Sequence, residues 1–285
     1  MSDPLHTEWA NTDRGVPKYV LNAEIQSAPC DASSFLKLMN EAYEAIPEKF
    51  RSEAVISLDG DLHDRPVLKM FYHEQEARGS QLEFNELARQ LKGIPHTTPE
   101  KGKVLYDLIL NGRYEKCIEL GFASGVGSVY MASALERNGV GHLTSVDTHE
   151  AYKRQPLASE TIKRFSLEHR VDLVFHEISY TWFLMDALER GITFDFCFLD
   201  GAHTWDVDGM AFSLLERVLT PGGLIVFDDL DWCYANSPTM SKIPVPERMR
   251  QTPAVRKIFE LLVKPNPLFC DVYEIEGMGV AKKLP

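Results

Sequence analysis

Glu119-Leu120-Gly121-Phe122-Ala123-Ser124-Gly125-Val126-Gly127-Ser128 is the stretch on which the fold turns. An apolar run from Glu115 to Leu120 enters it, and an apolar helical pattern to about Arg137 leaves it. The segment therefore reads as strand, glycine turn and helix. Glycine lets the backbone turn sharply and approach a ligand closely. The helix start beyond it presents N–H groups that have no partner inside the helix. A dinucleotide site wants G-x-G-x-x-G with a pyrophosphate against it. Here the spacing is G-x-x-x-G-x-G, and an acid, Glu119, stands on the strand itself. That acid repels a pyrophosphate and suits a ligand carrying an ammonium or a sulfonium.

Outward from the turn the chain alternates. Strands are expected at Leu143–Val146, Asp172–His176, Phe194–Leu199 and Leu224–Phe227, with helices at Arg154–Glu168, Thr181–Glu189 and Val207–Leu219 between them. Nearly every strand is apolar throughout, as in a parallel sheet covered on both faces. The alternation predicts an α/β, doubly wound sheet with right-handed crossovers. Asp271–Ile275 and Met278–Lys282 are separated only by Glu276-Gly277, which forces an antiparallel pair. The expectation is a mostly parallel seven-stranded sheet with an antiparallel last strand, spanning residues 95–285.

Residues 1–94 read differently, as a small N-terminal α+β cap. A helix is expected over Phe35–Ala45, stopped by Pro47, and strands at Val55–Leu58 and Val67–Tyr72. A helix over Glu74–Leu91 follows, broken by Gly93 and Pro95. The cap is expected to cover the site or to mediate association, a homodimer being the simplest case. His63 and His73 read as solvated or structural.

Two constellations carry chemistry. In the first, Glu119, Gly121 and Phe122 belong to the turn, and the second strand ends on Asp147, placed to accept from ribose hydroxyls. The third strand ends near Glu177 and Ser179, where an adenine would lie. In the second, Asp200 ends the fourth strand and Asp228-Asp229 end the fifth. Three aspartates at neighbouring strand tips repel one another unless a cation or proton sits among them. Oxygen donors favour a hard dication, Mg²⁺ first, with Mn²⁺ or Ca²⁺ as substitutes. His203, three residues past Asp200, is a candidate general base if the turn is helical, and Asp200 is the other. The plainer readings are glycines that only pack, an Asp200 that caps a helix, and a histidine facing water. The polar stretch Asp231–Pro253 is too long for a simple connection and reads as a lid.

Lys plus Arg total 30 against 42 Asp plus Glu, a net charge of −12, which disfavours nucleic acid and anionic membrane surfaces as partners. No apolar run is long enough to span a membrane, and the first residues lack the apolar core of a secretory signal. Five scattered cysteines fit a reducing, cytoplasmic setting.

From His96 onward the chain resembles class I methyltransferases. It is most similar to the metal-dependent small-molecule O-methyltransferases: the catechol and caffeoyl-CoA enzymes and the bacterial macrolide and aminocoumarin sugar enzymes. Thr97-Thr98-Pro99-Glu100-Lys101-Gly102 resembles the family segment where a Thr or Ser touches the cofactor, which implies Thr97. Glu119 and Gly121 match the cofactor motif, Asp147 the ribose acid, and Asp200, Asp228 and Asp229 the metal triad. Gly127 stands where the plant enzymes carry a cofactor-binding Ser, so either Ser128 makes that contact or the contact is lost. A histidine three residues past the first metal Asp acts as base in part of the sugar branch, as His203 would. The first 94 residues match no family pattern. The resemblance implies S-adenosylmethionine as cofactor, Mg²⁺, and a small-molecule hydroxyl as acceptor. Metal-free N- or C-methylation is the alternative; a nicotinamide oxidoreductase and a non-catalytic binding protein are remoter ones.

Overall fold

The computed structural model describes residues 83–285 in full and, before them, four strands. Those strands are β1 (Leu5–Trp9), β2 (Lys18–Glu24), β3 (Val55–Asp59) and β4 (Val67–His73), paired antiparallel in the order β1-β2-β4-β3. The two strands expected in the cap are β3 and β4; β1 and β2 add to them. The helix expected over Phe35–Ala45, the residues before 83 of the helix expected from Glu74, and His63 lie outside the described residues.

The main sheet has seven strands: β5 (Lys116–Leu120), β6 (His142–Thr148), β7 (Val171–His176), β8 (Phe194–Leu199), β9 (Leu219–Phe227), β10 (Phe269–Ile275) and β11 (Met278–Lys283). Their order is β10-β11-β9-β8-β5-β6-β7. β6, β5, β8 and β9 are parallel neighbours, and β11 enters antiparallel to both β9 and β10. The expected mostly parallel sheet with an antiparallel last strand is therefore present.

Alternate side chains of each strand feed opposite layers. Cys117, Phe196, Phe198, Leu224 and Val226 pack on one face, with α1 (Phe84–Leu91), α2 (Pro99–Gly112), α3 (Val126–Asn138) and α4 (Ala158–Arg164). Ile118, Leu120, Cys197, Leu199, Ile225 and Phe227 pack on the other, with α5 (Tyr180–Glu189), α6 (Trp205–Val218) and α8 (Ala254–Ile258). A short α7 (Glu247–Gln251) lies in the connection before α8, which continues into a π turn, Phe259–Val263. α1, placed with the cap by its sequence, buries Leu87 and Leu91 in the first of these layers.

Two elements differ in extent from expectation, and one helix is new. The helix expected over Arg154–Glu168 is only α4, because Pro156 keeps the preceding residues out of helix. β9 begins at Leu219, not Leu224, and passes the glycines through an irregular register opposite Phe194–Phe196. α2 was not anticipated. Gly102 breaks its pattern, yet a side chain there would collide with the Tyr130 ring, so α2 and α3 approach closely at this glycine. Among the described residues no helix is long and apolar enough to cross a membrane.

Candidate active site

The residue just past each of β5, β8 and β9 donates its N–H to the neighbouring strand, β6, β5 and β8 in turn. Gly121 N–H donates to Val146 O (2.8 Å), Asp200 N–H to Leu120 O (2.9 Å) and Asp228 N–H to Leu199 O (2.9 Å). The ladder fixes the turn after β5 directly against the acid at the tip of β8. Gly121 has φ 95°, and a Cβ there would run into the Asp200 carbonyl. Only glycine satisfies both conditions.

On the β5–β6 side, Glu119 is 1% exposed and accepts from Ser128 Oγ (2.5 Å) and Ser145 Oγ (2.7 Å). Burial pushes its carboxyl up to about 7, against the two hydroxyls that pull it down. A buried acid in this state favours a cationic ligand group. Thr97 is also buried, and a Cβ at Gly127 would sit 2.5 Å from Glu119 Oε1 and 3.2 Å from Thr97 Oγ1. The space left by Gly127 is thus bounded by these two polar atoms. Asp147 accepts from Phe122 N–H (3.1 Å) and Ala123 N–H (2.9 Å) through Oδ2, and from Thr148 N–H (2.7 Å) through Oδ1. It ties the turn to β6. Phe122 meets Phe175 edge-on at 5.1 Å, and Tyr152 stacks on Phe175 at 3.9 Å. That gives an aromatic wall at the β6 and β7 tips, of which the sequence reading named only Phe122. Ser179 caps α5, accepting from Thr181 N–H, and Glu177 is exposed at the β7 tip.

On the β8–β9 side the three aspartates converge, and His203 joins them. His203 Nε2 lies 3.1 Å from Asp229 Oδ2 and 3.7 Å from Asp200 Oδ1. Asp200, His203 and Asp229 each offer a ligand atom within 4.8 Å of the others. The turn that brings His203 in is not helical as expected. α6 starts only at Trp205, and His203 takes φ 56°, a left-handed conformation, as does Asp229 at φ 51°. Such conformations persist where the surroundings fix them. Here the Tyr180 hydroxyl donates to Asp208 and accepts from Ala202 N–H, while Asp208 also accepts from Thr204 N–H (3.0 Å). His203 Nδ1 bonds to Gly201 O (2.8 Å), which turns Nε2 toward the acids.

Burial pushes the Asp200 carboxyl well up, and the Asp228 and Asp229 charges add to it. Asp228 is raised by burial and by Asp229. Burial would lower His203, but its bond to Asp229 and the charges of Asp200 and Asp229 win and lift it to about 9. In Asp229 burial is outweighed by His203 and Lys101, which hold its carboxyl below the usual range.

Lys101 is the residue the sequence reading missed. Its Nζ stands 2.5 Å from Oδ1 of Asp228 and 2.5 Å from Oδ1 of Asp229. It lies in the first turn of α2, three residues past the Thr98 cap. A cation at the positive end of a helix is disfavoured unless an anion faces it. That placement was a usable signal, had α2 been recognised. Trp232, on the Asp231–Pro253 connection, meets the His203 ring edge-on at 4.9 Å.

The sequence matches no curated protein. Among solved structures it is similar to the O-methyltransferase TomG of Streptomyces achromogenes, at 17% identity and TM-score 0.50, covering 74% of this chain and 92% of that one. A candidate O-methyltransferase of Klebsiella pneumoniae shares 19% identity at TM-score 0.52, over 71% and 88% of the two chains. The Podospora anserina methyltransferase PaMTH1 shares 13% at TM-score 0.50, over 91% and 99%. At these identities the likeness is one of fold. A family model described as "Methyltransferase domain" matches residues 118–230, from within β5 to just past the Asp228-Asp229 pair. Residues 118–230 thus resemble a methyltransferase domain, set in a fold that the chain shares with these solved methyltransferases.

Proposed function

We propose that this enzyme transfers the methyl group of S-adenosylmethionine to a hydroxyl of a small molecule, with Mg²⁺ held in the acid cluster and Mn²⁺ or Ca²⁺ able to replace it. One observation carries the reading: the Gly121–Asp200 contact sets the cofactor turn against a half-buried cluster of Asp200, His203 and Asp229, with the buried Asp228 beside it. Both halves fit their proposed ligands. The donor side offers a buried acid, Glu119, beside the space left by Gly127. On the acceptor side the carboxyls of Asp200 and Asp228 are pushed upward first by burial and then by neighbouring carboxylates, which a cation among them would relieve. Its donors are mostly oxygen, as a hard dication prefers.

In this reading Thr97, Glu119, Gly121, Phe122, Ser128, Asp147, Glu177 and Ser179 line the cofactor site. Of these, Ser128 acts by orienting Glu119, and Ser179 by starting α5. Asp200, Asp228 and Asp229 hold the cation. A bound dication lowers the pKa of an acceptor hydroxyl. His203 or Asp200 takes the hydroxyl proton. Nδ1–H of His203 is kept on Gly201 O, so Nε2 is the nitrogen that would receive that proton, once the hydrogen it shares with Asp229 Oδ2 has been given up. The bound cofactor would supply the methyl carbon, to which the freed oxygen would bond as the carbon–sulfur bond breaks, with S-adenosylhomocysteine as the leaving product. Glu119 and Asp147 hold the donor and make no bonds to the transferred group. Trp232 gives the acceptor side an apolar wall beside His203, which suits a ring-bearing diol, phenolic or sugar.

A second reading, metal-free methyl transfer to nitrogen or carbon, is favoured by Lys101, which already places one positive charge between Asp228 and Asp229. Turnover of a catechol and sugar-diol panel, read as S-adenosylhomocysteine formed, separates the two. Loss in EDTA and recovery with Mg²⁺ is expected. Equal turnover in both media rejects the metal. Asp200→Ala should abolish turnover while binding of S-adenosylhomocysteine survives, and near-normal turnover refutes its role.

A further inference from the structure

We infer that Lys101 is an internal cation that competes with the divalent ion for Asp228 and Asp229, so that the acid cluster fills only as this ammonium is driven out. The inference rests on the metal reading above and deepens it. Both oxygens of Asp229 are engaged by the chain itself, Oδ1 by Lys101 at 2.5 Å and Oδ2 by His203 at 3.1 Å. Lys101 also holds Oδ1 of Asp228 at 2.5 Å. Asp200 differs: His203 stands 3.7 Å from its Oδ1, beyond hydrogen-bond range. An arriving dication thus finds Asp200 open and the Asp228-Asp229 pair occupied.

An ammonium and a dication repel and cannot share the same carboxylate oxygens at bonding distance. One of them must leave, and Lys101 is built to do so. Its four-carbon stem is flexible, and its side chain is 16% exposed, with water on one flank. Its placement also explains why the ion-free cluster holds together. Without it only His203, on Asp229, would offset the repulsion between two adjacent carboxylates, one of them 4% exposed. The backbone that carries Lys101 carries Thr97 four residues earlier, beside Glu119 and Gly127. The start of α2 therefore reaches both halves of the site.

Mn²⁺ binding, measured from the electron paramagnetic resonance signal of the free ion, tests this on the wild-type protein, Lys101→Met and Asp200→Asn. Asp200→Asn should weaken binding. Lys101→Met should tighten it by on the order of tenfold to a hundredfold, since the ion no longer breaks a buried pair. Amine footprinting of the wild-type protein gives a second measurement that needs no variant. Labelling of Lys101 should rise as Mg²⁺ is added, while that of the exposed Lys153 stays constant. Ion binding with unchanged affinity in Lys101→Met and an unchanged footprint overturns the competition and leaves the metal reading intact. Absence of Mn²⁺ binding to the wild-type protein and to Lys101→Met overturns both.

Discussion

Glu119 is a carboxyl group cut off from water, and its behaviour with pH follows from that. Its ordinary value is 4.5 and burial lifts it to about 7 in the folded chain. Between those values the unfolded chain has lost the proton and the folded one has kept it. The native state binds more protons there, so stability falls as pH rises through that window. Glu119→Gln has no proton to lose. Urea unfolding should show it gaining on the wild-type protein by up to about 3 kcal/mol between pH 5 and pH 8. A difference that does not change with pH would contradict the assignment. Gly127 tests the same pocket by volume. It sits in a helix, where alanine is favoured over glycine, yet its methyl would press on Glu119 Oε1 and Thr97 Oγ1. Gly127→Ala should still fold and lose about tenfold or more in S-adenosylhomocysteine affinity by calorimetry, an effect of about 1.4 kcal/mol.

At the scale of elements, the loop between β8 and α6 is held by α5. The Tyr180 hydroxyl bridges Asp208 and Ala202 N–H, and this bridge sets the left-handed turn at His203. Tyr180→Phe leaves a buried acid and a backbone N–H short of a partner, at a cost of about 1–3 kcal/mol. Turnover should fall while cofactor affinity holds; if both stay at wild-type values, the bridge does not position His203. The same elements show what the sequence could tell. The parallel strands were legible because most are apolar nearly throughout, and β10 and β11 because only Glu276-Gly277 separates them. The glycine turn was legible because an acid precedes it, and Asp147, Asp200 and Asp228-Asp229 because they end strands. Lys101 was not, because it approaches its acids from 127 and 128 positions away on a helix whose pattern Gly102 and Gly112 interrupt. Nor was the route of His203, since its conformation depends on a tyrosine of another helix. The first strands of the cap, β1 and β2, carry no pattern strong enough to separate them from loop.

Across the whole molecule the sheet divides the interior into two packed layers. Leu105 of α2 is buried in one and Leu215 of α6 in the other. Each leucine-to-alanine change should cost about 2–5 kcal/mol. Because the sheet separates them, the double variant should equal the sum to within about 0.5 kcal/mol. A marked departure in chemical denaturation would mean that the two layers are mechanically coupled through the strands. The placement of β11 between β9 and β10 has a consequence for biosynthesis. β10 has no neighbour in the sheet except β11, so it cannot dock before residues 278–283 do. Whatever delays β11 therefore leaves the edge of β10 and the flank of β9 bare together, a temptation for stray strands.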